Sequence, residues 1–181
     1  VYVKLVKICE KIYYSNASRI ITVTEGIKQE IIKKYCIPEE KIEVIGNGVN
    51  TDTFRPLNRI SNLKKKYGLD KNNVVAFAGV LVEWQGLKYL VEAAPAILKE
   101  ETETIFLIIG DGPLKNDLIQ KVNDLNIDEK FIFTGFVPHD EVPLYINASD
   151  VCVVPKIPLK SGYSPLKLYE YMACGKAVIA S

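Results

Sequence analysis

The chain has 181 residues, with 23 Lys and Arg against 22 Asp and Glu and a formal net charge of +1. That balance argues against a nucleic-acid binder working through a broad phosphate-facing field, so any anion site has to be local. A composition of 48% hydrophobic and 25% charged residues is that of a globular protein, one domain or one domain plus a piece of another.

Cys9, Cys36, Cys152 and Cys174 show no C-x-x-C spacing, and His139 is the only histidine; this argues against structural zinc. Cys152 and Cys174 fall in apolar runs and are expected as buried thiols, which suits a reducing compartment. The sequons Asn16-Ala17-Ser18 and Asn147-Ala148-Ser149 carry little weight without a secretion signal. No apolar run approaches the roughly 20 residues of a membrane span. The chain opens on Val1 and stops inside the run Ala177-Val178-Ile179-Ala180, so a fragment of a longer protein is expected.

In chain order, residues 1–14 read as a basic amphipathic helix. Such a helix can lie on a membrane surface or pack on a neighbouring domain, and the second reading is preferred. A short buried strand over 18–23 is followed by Thr24 as a cap and a helix over 25–35. Another short strand is expected over 42–45, then a sharp turn at Asn47-Gly48-Val49-Asn50. The stretch to Leu69 is polar and irregular, and its cluster Lys64-Lys65-Lys66 reads as a solvated helix face.

From Asn73 onward the pattern changes. Apolar runs over 74–78, 104–109, 131–134, 151–154 and 177–180 alternate with helical stretches. These fall over 87–98, from about 113, over 140–148 and over 165–174, and Pro95 is expected to kink the first. Strands buried on both faces, alternating with helices, predict a Rossmann-like α/β fold: a parallel sheet with helices on both faces. Ligands of such sheets bind beyond the carboxyl ends of the strands.

Three of those ends carry glycine: Gly79, then Gly110-Asp111-Gly112, then Gly135-Phe136-Val137-Pro138. Glycine lets a backbone approach a ligand closely, but βα turns hold glycine for structural reasons too, and no G-x-G-x-x-G or Walker motif is present. In the last loop Ser164 is a suitable N-cap, Pro165 suits the first helical position and Gly175 the stop. The N–H groups of Leu166 and Lys167 would then form an anion pocket. Lys167 either faces an anion there or snorkels to water. Glu170, one turn on, either pairs with Lys167 at the surface or accepts hydrogen bonds from ligand hydroxyls.

The stretches "IEVIGNGVNTDTF", "VVAFAGVLVEWQGLKYLVEA", "IIGDGPLKNDL", "FIFTGFVPHDEVPLYINASDVCVVP" and "SPLKLYEYMACGKAVIAS", in this order, resemble family-4 glycosyltransferases of the GT-B fold. The resemblance covers nearly the whole chain. It implies that residues 1–46 end an acceptor-side N-terminal domain and that 47–181 form a nucleotide-sugar-binding C-terminal domain, incomplete at its end. Residues 47–54 match the hinge.

It also implies a hexosyl-type glycosyltransferase moving a sugar from a nucleotide-diphosphate sugar to a glycan or lipid-linked acceptor, in polysaccharide or glycoconjugate biosynthesis. Glu170 matches the second acid of E-x7-E, which holds the ribose. Ser164, Leu166 and Lys167 match the segment at the diphosphate, Gly79 the glycine beside it, and Val137 the backbone contact to the base. Gly112 is expected in the same cleft.

Three positions depart from the family. Gly162 replaces the first acid of E-x7-E, and Val80 and Gln85 replace the basic pair that neutralises the leaving diphosphate. Loss of one such group can cost roughly 10²–10³ in rate. Lys167 is the candidate catalytic cation in its place, and the isolated chain is expected to be inactive. No D-x-D pair occurs, so a metal-independent reaction without cofactor is expected, with no nucleic-acid partner. The resemblance implies a cytoplasmic location, peripheral contact at the inner membrane face through the full-length protein being left open. Alternatives are a non-catalytic nucleotide-sugar-binding protein of the same fold and a sugar-nucleotide epimerase.

Overall fold

A computed structural model describes residues 2–157 and 163–181, which fall into two compact units. Among the described residues, the first holds the chain up to Gly48 with Tyr163, Ser164 and Pro165, and the second holds 49–157 and 166–181.

The first unit contains α1 (Tyr2–Asn16), β1 (Ile20–Thr22), α2 (Glu25–Tyr35) and β2 (Ile42–Val44). β1 and β2 pair in parallel, with Ile20 opposite Ile42. Ile20, Ile31, Tyr35, Ile37 and Ile42 make its core. Thr24 caps α2 as expected, its Oγ1 accepting the Ile27 N–H at 3.2 Å. α1 sends Tyr14 into this core, while Leu5, Ile8, Ile12 and Tyr13 stay exposed.

The second unit opens with a turn that sits later than the Asn47-Gly48 pair predicted. The Asn50 carbonyl accepts from Thr53 and Phe54, and its side-chain oxygen accepts the Asp52 N–H at 2.9 Å, an Asx turn that competes successfully with the Asn-Gly signal. α3 (Ser61–Tyr67) carries the lysine cluster, and β3 (Asn73–Ala78), α4 (Leu87–Glu100), β4 (Thr104–Ile109), α5 (Lys115–Asp124), β5 (Phe131–Gly135), α6 (Val142–Ala148), β6 (Val151–Val154), α7 (Leu166–Ala173) and β7 (Ala177–Ala180) follow. The five strands β3 to β7 form one sheet in the order β5-β4-β3-β6-β7, parallel at every pairing.

The alternation of side chains in β3 and β4 separates two cores. Val74, Ala76, Ala78, Ile105, Leu107 and Ile109 point to the face covered by Tyr145 and Ile146 of α6 and Tyr171 of α7. Phe77, Phe106 and Ile108 point to the face covered by Leu87, Leu90, Val91 and Ala94 of α4 and Leu118 and Val122 of α5. Burial on both faces is why these runs read as unbroken apolar stretches. α4 continues through Pro95 as one element; its buried stripe outweighs the roughly 3 kcal/mol that proline costs a helix interior.

β4 and β5 step away from β3 on one side, β6 and β7 on the other. The order therefore reverses between β3 and β6, where the ladder pairs Val75 with Val151 and Ala76 with Cys152. Cys152 and Cys174 are buried free thiols, as expected. Asn147 of the second sequon is buried too. Its Nδ2 donates to the carbonyls of Arg55 (3.0 Å) and Pro143 (2.8 Å), and its Oδ1 accepts the Leu57 N–H at 2.9 Å. It ties a loop to α6 and is closed to a glycan.

Candidate functional site

Beyond the carboxyl ends of β3, β4 and β5 lies a cavity of about 230 Å³. The β3 end contributes Gly79 and Val80, and the β4 end Gly110 and Asp111. The loop after β5 contributes Phe136, Val137 and His139, and α7 contributes Glu170. Ligand pockets commonly hold roughly 300–1,000 Å³, so this space suits part of a nucleotide rather than a whole nucleotide sugar.

The floor is backbone. The Gly79 N–H donates to the Ile109 carbonyl (2.9 Å) and the Gly110 N–H to the Gly135 carbonyl (3.1 Å), carrying the ladder past the strand ends. Gly110 has φ 131, and a Cβ there would stand 2.1 Å from the Gly79 oxygen. Only glycine allows the two turns to lie this close. Gly112 performs a similar task one step away. A Cβ on it would meet the Leu81 backbone at 2.5 Å, and the Leu81 N–H donates to the Asp111 carbonyl at 2.9 Å.

Glu170 is partly buried, and burial raises its pKa, while His139 and Lys167 act against the rise. The His139 ring packs on Phe54, 5.3 Å between centroids. Asp111, the second carboxylate of the cavity, is held below the usual range by Lys115 at 2.9 Å and by the Gly112 N–H.

Lys167 is not at the surface. It is buried, its Nζ donating to Gln85 Oε1 at 2.9 Å and lying 3.8 Å from the centroid of the Phe77 ring. A Cβ on Gly79 would stand 2.8 Å from that nitrogen, so the amine sits directly behind the Gly79 turn. Burial pushes its pKa down to about 7, with nearby Lys156 adding to the fall and Glu170 opposing it. Of the two readings left open for Lys167, snorkelling is excluded. The surface Lys–Glu pair is excluded with it, since Lys167 bonds Gln85 instead.

The expected residues thus divide. Gly79, Val137 and Glu170 share the cavity, and Lys167 lies behind its floor. Gly112 is outside the lining and packs turn against turn. Leu166 opens α7 with an exposed side chain, one residue later than the predicted helix start. Ser164 belongs to the first unit, where Asn47 Nδ2 donates to its carbonyl at 3.2 Å. Gly162 lies outside the described residues. Sequence reasoning missed His139 and Phe136, although both fall in the loop whose Val137 it had singled out. The usable signal was a polar ring two residues past Val137.

The family model described as Glycosyl transferases group 1 matches residues 59–181, and that of Glycosyltransferase Family 4 matches residues 1–53. A 2-deoxystreptamine glucosyltransferase of Streptomyces kanamyceticus is 28% identical over 179 residues, covering 97% of this chain and 46% of its own. An Escherichia coli UDP-Gal:alpha-D-GlcNAc-diphosphoundecaprenol alpha-1,3-galactosyltransferase is 32% identical over 169 residues, covering 91% of this chain and 42% of its own. The chain thus spans less than half the length of these curated relatives. Among solved structures, Anabaena Alr3699/HepE in complex with UDP superposes with a TM-score of 0.79 at 24% identity, over 91% of this chain and 44% of that one. At that identity the likeness speaks for the fold, a parallel sheet flanked by helices as in GT-B glycosyltransferases. With the group 1 model matching well over half its residues, the chain belongs to the glycosyl transferases group 1 family.

Proposed function

We propose that the protein is a hexosyl-type glycosyltransferase that moves a sugar from a nucleotide-diphosphate sugar to a glycan or lipid-linked acceptor. In this reading residues 47–181 are donor-side and residues 1–46 end the acceptor-side domain. The division of the chain between two family models and between two compact units supports it. The relatives reported above are named as transferases, one of them with a UDP-linked sugar and a lipid diphosphate in its name. Neither alternative, binding protein or epimerase, draws support from them.

The observation that carries the proposal is Glu170 meeting Gly79 and Val137 in one cavity beyond the strand ends. Glu170 accepts hydrogen bonds from the ribose, the Val137 backbone meets the base, and the Gly79 turn approaches the diphosphate, with Leu166 and the start of α7 on the same unit. Gly112 supports the turn rather than the ligand. Lys167 stands behind Gly79 and balances charge that develops on the leaving diphosphate. No metal takes part in this reading, so a chelator leaves donor binding unchanged. The protein works in the cytoplasm, which the free cysteines suit. Peripheral contact with the membrane would bring a lipid-linked acceptor within reach; among the described residues no helix is long and apolar enough to cross one.

Calorimetry with UDP, GDP and their nucleosides tests the donor site. Glu170→Ala is expected to weaken the preferred diphosphate at least about tenfold, or 1.4 kcal/mol, because charge-assisted hydrogen bonds to hydroxyls contribute roughly 1.5–3 kcal/mol each. Unchanged affinity returns Glu170 to an ordinary helix acid.

A further inference from the structure

The turn after β3 brings no cation of its own to the cavity: residues 79–86 are Gly-Val-Leu-Val-Glu-Trp-Gln-Gly. The cation behind that turn comes from α7, and a side chain of the turn itself receives it. Gln85 is buried and its Oε1 accepts from Lys167 Nζ at 2.9 Å, a hydrogen bond that links residues 82 positions apart. The Phe77 ring bounds the amine on a second side and Gly79 on a third. A lysine side chain is flexible, and a single fixed acceptor gives its amine one orientation.

The geometry points to Gln85 as a positioning residue that pins the Lys167 amine behind the Gly79 turn, so that α7 rather than the turn supplies the charge facing a bound diphosphate. This rests on the nucleotide-diphosphate reading above. A glutamine carbonyl suits the task chemically. It accepts a hydrogen bond from –NH₂ as well as from –NH₃⁺, so the amine stays in place whether or not it is charged. Leucine would offer no acceptor, and glutamate would hold the ammonium form permanently.

A consequence is a proton taken from solvent when the diphosphate binds. Among the described residues, the charges acting on Lys167 are Lys156, which follows β6, and Glu170 on α7 itself; burial and Lys156 bring its pKa to about 7 against the pull of Glu170. At neutral pH the amine is therefore only partly charged. A phosphate arriving on the other side of the turn favours the ammonium form. Diphosphate affinity then falls as pH rises through about 7, and affinity for a nucleoside without phosphate does not follow it.

The test is calorimetry of UDP, GDP and the matching nucleosides across about pH 5.5–9.5 on the wild type, Gln85→Leu, Gln85→Glu, Gln85→Asn and Lys167→Met, with circular dichroism to verify folding. For the wild type the preferred diphosphate is expected to weaken roughly tenfold across that range. The midpoint should move down by about one pH unit in Gln85→Leu and up in Gln85→Glu. Lys167→Met should be weak and flat. Wild type, Gln85→Leu and Gln85→Asn share every titrating group, so the displacement between their profiles isolates Lys167; Gln85→Glu adds a carboxyl of its own beside the amine and is read for the direction of the shift, and Gln85→Asn keeps the test open if the leucine variant does not fold. Profiles that coincide in all Gln85 variants overturn the proposal while leaving the donor site intact. Equal losses for nucleoside and diphosphate overturn it as well, by reducing Gln85 to packing. No binding of either diphosphate by the wild type overturns the donor reading itself, and this inference with it.

Discussion

Glu170 is held in the cavity against the preference of the fold. Burial raises its pKa above the ordinary carboxylate value, only partly relieved by His139 and Lys167. An acid with a higher pKa folded than unfolded binds its proton more tightly in the native state, so stability falls as pH rises from the ordinary value through the raised one. Glu170→Gln is expected to raise the melting temperature at about pH 7 and to match the wild type near pH 4, where both side chains are uncharged. Thermal melts at the two pH values measure it, and an equal effect at both would show that ionisation is not involved. Because the same substitution replaces the charged acceptor proposed for the ribose with a weaker, neutral amide oxygen, stability and nucleotide affinity should move in opposite directions. The acid in an apolar run was visible in the sequence; its partners were not. His139, on the loop after β5, comes next to it only through the register of β4 with β5.

At the scale of elements, the end of β3 shows how the site is kept open. The β3–β6 ladder pairs Val75 and Ala76, and two residues later the Tyr171 hydroxyl, fully buried on α7, accepts the Ala78 N–H at 2.7 Å. The hydroxyl stands where a neighbouring strand would otherwise be, which lets β3 and β6 part beneath the cavity. Tyr171→Phe leaves that N–H buried without this acceptor and is expected to cost about 1–3 kcal/mol, measured as a shift of the denaturant midpoint at constant slope. A change under about 0.5 kcal/mol would mean that the strand end finds another acceptor. Tyr171 was not singled out in the sequence, because a hydrogen bond across 93 residues has no local signature.

Across the whole molecule, stability is expected to be uneven, since among the described residues the first unit rests on five buried apolar side chains and two strands of three residues. β4, by contrast, is buried at all six positions. Native-state hydrogen exchange should find the β1 and β2 amides opening well before those of β4, whose protection should approach that of global unfolding; equal protection would contradict it. The sequence by itself determined the five parallel strands from Asn73 onward, their alternation with helices and the glycines at their ends. Continuous apolar runs and helical spacing are local consequences of burial on both faces of a sheet, so they can be read without coordinates. The stretches that carry the family resemblance were equally plain. Only the tertiary structure decided that Gly112 packs against Leu81 rather than lining the cavity, that Asn147 is a buried tie, and that Lys167 turns inward to Gln85 instead of outward to water. Each of these depends on a partner far away in the chain. A side chain's choice between solvent and a distant acceptor is fixed by the space the packed sheet leaves behind it, which no local pattern records.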